Sequence, residues 1–117
     1  MAKRSNESLP WAFFGAGGFV SAFLMPVHIF LFGIAIPLMW IAGPTQASLL
    51  ALIQHPLTKL YIFGFCALCF LHAAHRIRSS LIDTLRIKHL DTALGVICYG
   101  AAIVGSIIAL IVVIRIP

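Results

Sequence analysis

Charge is what this sequence has least of. Only 9% of its 117 residues are Asp, Glu, Lys or Arg, and three of them, Glu7, Asp83 and Asp91, are the whole acidic complement. A water-soluble domain carries about 25% charged residues, so too few are present to coat a surface that faces water. The shortage of acids excludes more than solubility. No Asp or Glu falls inside an apolar stretch, and no two stretches repeat, whereas a transporter should show an embedded acid or inverted repeats around a midplane site. A small membrane transporter is therefore kept only as an alternative. No nucleophile has a base at motif spacing, and Gly15-Ala16-Gly17-Gly18 has neither a following Lys-Ser/Thr nor a preceding strand, as a phosphate loop requires. A self-contained enzyme is not expected, and no catalytic residue is assigned.

Cysteine is scarce too. Cys66-x-x-Cys69 has redox or zinc spacing, but it lies within Gly64-Phe65-Cys66-Ala67-Leu68-Cys69-Phe70, where a thiolate would be costly. With Cys98, these residues read as small buried hydrophobes, and no metal site is expected. The net charge of +5 does not point to nucleic acid, because the basic residues flank apolar runs and form no basic face. Lys3 and Arg4 mimic the start of a signal peptide, but the apolar run after them is too long and has no clean cleavage site.

What the chain does have is hydrophobic length, with 62% of residues apolar. Spanning a hydrocarbon core takes about 20 apolar residues, which predicts one all-α membrane domain over residues 1–117 with three transmembrane helices. The stretch from Pro10 to Ala42 carries no charge. Its glycines place residues 11–18 in an interfacial entry and the first span at about 19–42. Trp11 and Trp40 stand near the two ends, as interfacial aromatics do. Gly43-Pro44-Thr45-Gln46 breaks the helix, and a short surface helix is expected before Pro56. The second span runs from about 57 to 75 and is followed by a basic loop from Arg76 to His89. The third span, about 91–114, carries Ala101, Gly105 and Ala109, a small-residue stripe for helix packing.

Orientation follows from the cations. Lys3, Arg4, Arg76, Arg78, Arg86 and Lys88 fall on one side, and Lys59 and Arg115 on the other. The positive-inside rule makes the first side cytoplasmic, with the N-terminus inside.

The polar groups near that side are Trp11, His72, His75, Arg76 and Arg78. His72, His75 and Arg76 sit at i, i+3 and i+4 and share a helical face, at the membrane edge where polar residues are functional candidates. A quinone needs a flat apolar slot, hydrogen-bond donors for its carbonyls and a proton route to water. An indole, an imidazole and a guanidinium suit that task. The competing reading makes His75 and Arg76 snorkelling residues that touch headgroups. A haem ligated within this chain is disfavoured, because His28 lies about 13 Å deep and His72 only about 5 Å at 1.5 Å per residue. A haem-binding anchor of a succinate dehydrogenase-like complex, with a second ligand from another polypeptide, is a further alternative.

Trp11-Ala12-Phe13-Phe14-Gly15-Ala16-Gly17-Gly18, then three spans with His75-Arg76 closing the second, resembles the D subunit of bacterial quinol:fumarate reductase. Asp83 followed by Leu85-Arg86-Ile87 is similar to that family's basic stretch before its third span. The resemblance implies a hydrophobic, non-catalytic anchor in the bacterial inner membrane, serving electron transport in anaerobic respiration and fumarate metabolism. It implies a second hydrophobic anchor (the C subunit), an iron–sulfur subunit and a flavoprotein subunit as partners. It also implies a shared menaquinone/menaquinol site to which Trp11, His75 and Arg76 contribute; His72, on the same helical face as His75, is a weaker candidate from its position alone. FAD, iron–sulfur clusters and haem are expected on other subunits or not at all.

Overall fold

Backbone N–H and C=O groups find no water inside a lipid bilayer, so apolar stretches of this length satisfy them internally, as helices. The computed structural model describes residues 8–117, and helices dominate them with no strand among the described residues. Lys3, Arg4 and Glu7 lie outside the described residues. Three helices are long and apolar enough to cross a membrane: Trp11–Ala35, Pro56–Leu85 and Lys88–Arg115.

The first of these is built from α1 (Ser8–Phe19), a π turn at Val20–Leu24, α2 (Met25–Phe30) and a second π turn at Leu31–Ala35. The junction residues Phe19, Met25, Phe30 and Ile36 all keep right-handed helical angles, so the helix is unbroken. Its bounds differ from the expected 19–42 at both ends. The glycine segment is helical because Gly17 and Gly18 lie where α1 presses on a neighbouring helix, and that contact outweighs their poor intrinsic propensity. At the other end Pro37 has no N–H to continue the ladder. The chain turns there through Met39, at φ 61°, with Trp40 N–H bonded to Ala35 O at 2.9 Å and Met39 N–H to Ile36 O at 3.0 Å. That pair of bonds is a Schellman cap.

The expected short helix is α3 (Gln46–Gln54), opened by Thr45, whose hydroxyl accepts from Ser48 N–H at 3.2 Å. α4 (Pro56–Leu85) starts under a His55 cap and ends at Arg86, which takes the left-handed conformation at φ 53°. The segment expected to be a basic loop from Arg76 is thus helical as far as Leu85. It contains neither Gly nor Pro, and it stays packed beside the last helix. At 1.5 Å per residue α4 is about 45 Å long, against a hydrocarbon core of about 30 Å. A 3-10 turn, Lys88–Leu90, leads into α5 (Asp91–Arg115). Asp91 in its first turn and Arg115 in its last both complement the helix dipole.

α4 is the central element, lying against α5 along its length and against α1 toward its C-terminal half. Small residues allow the approach: Ala74 and Ala102 are buried, and a Cβ on Gly105 would come within 3.3 Å of the Phe70 ring. Of the expected stripe, Gly105 packs as proposed, whereas Ala101 is exposed and Ala102 takes the buried place. At the opposite end from Arg86, Lys59 Nζ donates to Ile116 O at 2.7 Å and ties α4 to the end of α5. Large apolar side chains such as Phe23, Ile97 and Ile114 point outward, each more than 60% exposed. Such a surface is stable only against lipid or other apolar helices.

Candidate functional site

The site forms where α1 crosses the C-terminal half of α4. Trp11, Phe14 and Gly18 follow one another at helical spacing on α1, as do Leu68, Leu71 or His72, and His75 on α4. The two faces meet closely because of glycine. A Cβ on Gly17 would lie 2.5 Å from Leu68 O and 2.8 Å from His72 Cβ, and one on Gly18 would lie 3.0 Å from the His72 ring. His72 also fastens the helices, its Nδ1 donating to Phe14 O at 3.2 Å while its ring stacks on Phe14 at 4.7 Å and 19°.

Above this contact the rings open into an apolar cavity of 510 Å³, lined by Trp11, Phe13, Phe14, Leu71, His75 and Tyr99. Its volume falls in the usual range of small-molecule sites, about 300–1,000 Å³. Trp11 and His75 meet edge-on at 6.0 Å, and Phe14 lies 4.4 Å from His75 and 5.7 Å from Trp11. His75 Nδ1 is 2.7 Å from the Tyr99 hydroxyl. Behind Tyr99, the Arg78 guanidinium lies 5.8 Å from the ring centroid and forms a 2.6 Å ion pair with Asp91. The cavity thus offers flat apolar walls and one polar corner, which is what a planar ligand with a hydrogen-bonding edge requires.

Of the residues singled out from sequence, Trp11 and His75 line the cavity, and His72 sits beneath it holding α1 to α4. Arg76 is exposed and makes no ion pair or side-chain hydrogen bond among the described residues. Consecutive helical residues point about 100° apart, so the turn that aims His75 inward aims Arg76 outward. Arg78, three residues on, faces the same side as His75. Tyr99 was not foreseen, although Asp91, Gly95 and Tyr99 share one face of α5 at i, i+4 and i+8. His28 keeps different company: its Nδ1 donates to Leu24 O at 2.6 Å and its Nε2 accepts from Tyr61 at 3.2 Å. His28 and His72 therefore do not share a site. Cys66, Cys69 and Cys98 are free thiols, with Ser21 donating to Cys69 Sγ at 3.4 Å.

The profile of the fumarate reductase D-subunit family matches residues 1–114. The chain belongs to that family. It is 41% identical over 104 residues to the fumarate reductase D subunit of Mycobacterium tuberculosis (strain ATCC 25618 / H37Rv), covering 89% of this chain and 83% of that one. The protein of the same name in Aliivibrio fischeri (strain MJ11) is 32% identical over 112 residues, covering 93% of this chain and 91% of its own length. As a family member the chain is one component of a fumarate reductase complex and, by family, its membrane anchor. The three long apolar helices agree with a multi-pass membrane protein.

Proposed function

We propose that this chain is the hydrophobic anchor of a quinol:fumarate reductase in the bacterial cytoplasmic membrane. With a second hydrophobic anchor, the C subunit, it holds an iron–sulfur subunit and a flavoprotein subunit against the cytoplasmic face, where its own N-terminus lies. The chain is non-catalytic in itself and carries no FAD, iron–sulfur cluster or haem. It contributes one wall of the site at which menaquinol is oxidised.

The observation that carries this reading is the aromatic cavity with His75 at its polar corner. Menaquinol supplies two electrons, which pass through the iron–sulfur subunit to the flavin, and two protons, which must reach water. Trp11, Phe13 and Phe14 offer rings against which a fused aromatic headgroup packs, and stacked or edge-on pairs of this kind contribute about 0.5–1.5 kcal/mol each beyond burial. His75 places an imidazole within the same walls, able to accept a proton in the manner of a general base. His72 keeps α1 seated so that Trp11 stays opposite His75. Arg76, pointing outward from the same turn, faces the side from which the second anchor or the iron–sulfur subunit would close the pocket.

Deletion of the gene tests the reading. The flavoprotein and iron–sulfur subunits are expected to appear in the soluble fraction, and membranes are expected to lose menaquinol-dependent fumarate reduction. Catalytic subunits that stay membrane-bound and active with quinol would overturn it.

A further inference from the structure

Taking the cavity as the quinol site, we propose that Tyr99 is a positioning residue for His75, braced between α4 and α5 by Arg78 and Asp91. An imidazole at the edge of a helix can rotate about its side-chain bond and can carry its proton on either nitrogen. The rings of Trp11 and Phe14 restrict where the His75 ring goes but cannot choose between its nitrogens. Among the described residues its one hydrogen-bond partner is the Tyr99 hydroxyl, 2.7 Å from Nδ1, at the short end of the range for such bonds. Nδ1 is committed by that contact. Nε2, on the far side of the ring, is then the nitrogen left for a ligand in the cavity.

A hydroxyl suits this task better than a carboxylate or an ammonium. Its oxygen accepts from Nδ1–H both in the neutral tautomer that leaves Nε2 bare and in the charged imidazolium, without moving and without a charge that would hold the proton on the ring. As a proton passes from quinol to Nε2, the quinol O–H bond breaks and an N–H bond forms. Tyr99 oxygen still accepts from Nδ1–H, the two electrons leave toward the iron–sulfur subunit, His75 later returns its proton to water, and the second proton passes to water from the other quinol hydroxyl. Tyr99 is itself held from both helices. Arg78 of α4 lies over its ring, and Arg78 is clamped to Asp91 in the first turn of α5. Gly95 lies between them, where a Cβ would come 3.4 Å from Arg78 Nε; its missing side chain leaves the guanidinium room.

The test is a double-mutant cycle in the purified four-subunit complex, using a water-soluble menaquinol analogue and fumarate. Rates are normalised to fumarate reduction by the same sample with a soluble donor. His75→Ala is expected to lower kcat about 100-fold, the lower range for losing a positioned proton acceptor. Tyr99→Phe, which keeps the ring and its packing, is expected to lower kcat about fivefold, as for one hydrogen bond, with KM changed less than about twofold. Because Tyr99 acts through His75, adding Tyr99→Phe to His75→Ala is expected to cost nothing more. An equal further fall in that background would overturn the proposal, as would a raised KM with unchanged kcat. Wild-type kcat in Tyr99→Phe beside an impaired His75→Ala would overturn it while leaving the quinol site in place. Wild-type turnover in both single variants would remove the quinol-site reading as well.

Discussion

A single methyl group at Gly17 should unseat the first helix. In the structure a Cβ built there lies 2.5 Å from Leu68 O and 2.8 Å from His72 Cβ. Both are fixed positions on α4, one of them backbone, so no side-chain rotation relieves the clash. Restoring an ordinary contact requires α1 and α4 to part locally by about 1 Å, and overpacking of this kind costs about 1–3 kcal/mol. The functional effect should exceed that, because Phe14 and Trp11 ride on the same helix one and two turns away. The bond from His72 to Phe14 O, already 3.2 Å, would stretch beyond useful length, and the cavity wall would leave His75. A misplacement of about 1 Å at a reacting centre can cost about 100-fold in rate. Gly17→Ala is therefore expected to lower the thermal inactivation temperature of the detergent-purified complex and to reduce quinol-dependent fumarate reduction by about tenfold or more. Gly15→Ala supplies the contrast, since a Cβ there meets nothing within 4 Å among the described residues, and it is expected to leave the α1–α4 contact and the stability intact. A Gly17→Ala complex with wild-type stability and quinol turnover would refute the close approach of α1 and α4.

Three further outcomes are expected. Arg76→Leu should impair quinol turnover while fumarate reduction with a soluble donor continues; unchanged turnover would return Arg76 to a headgroup contact. A double-mutant cycle of Arg78→Leu with Asp91→Asn, read from thermal stability, should give a coupling of about 0.2–1 kcal/mol, since both partners are partly exposed. A coupling of zero would mean that the pair does not hold α5 in register. Reporter domains fused to the two ends should place the N-terminus in the cytoplasm and the C-terminus outside, and the reverse result would contradict the charge count.

The three long helices were legible because the signal for them is coarse: long stretches without charge need only be counted. Their ends were harder to read. The glycines at 15, 17 and 18 look like helix breakers in one dimension, yet Gly17 and Gly18 are helical because α4 needs the space their side chains would fill. Pro37 and the left-handed Met39 end the first helix, where hydropathy alone carries on to Ala42. At the site, His72 and His75 were visible from spacing, and Trp11 from its place at the membrane edge and the resemblance of the glycine segment. Arg76 was expected on the face of His72, four residues earlier, but it is exposed, while Arg78, also named among the polar groups, is half-buried beside Tyr99. Tyr99 comes from a helix distant in sequence, and nothing local distinguishes it from an ordinary interfacial tyrosine. Only the packing of α5 on α4 brings it to His75.

The two π turns of the first helix have a consequence for insertions and deletions. Met25 N–H reaches back to Val20 O, and Ile36 N–H to Leu31 O, each one residue further than an α-helical bond. Each turn therefore stores one surplus residue without breaking the rod. Removing a residue from Val20–Leu24 should convert that turn to α-helix while leaving Trp11, Phe14 and Gly17 on one side and His28 on the other in their present alignments. The same deletion between Trp11 and Gly17 would rotate the aromatic wall away from α4. Length variation among relatives should collect at these wide turns and be absent from the glycine segment.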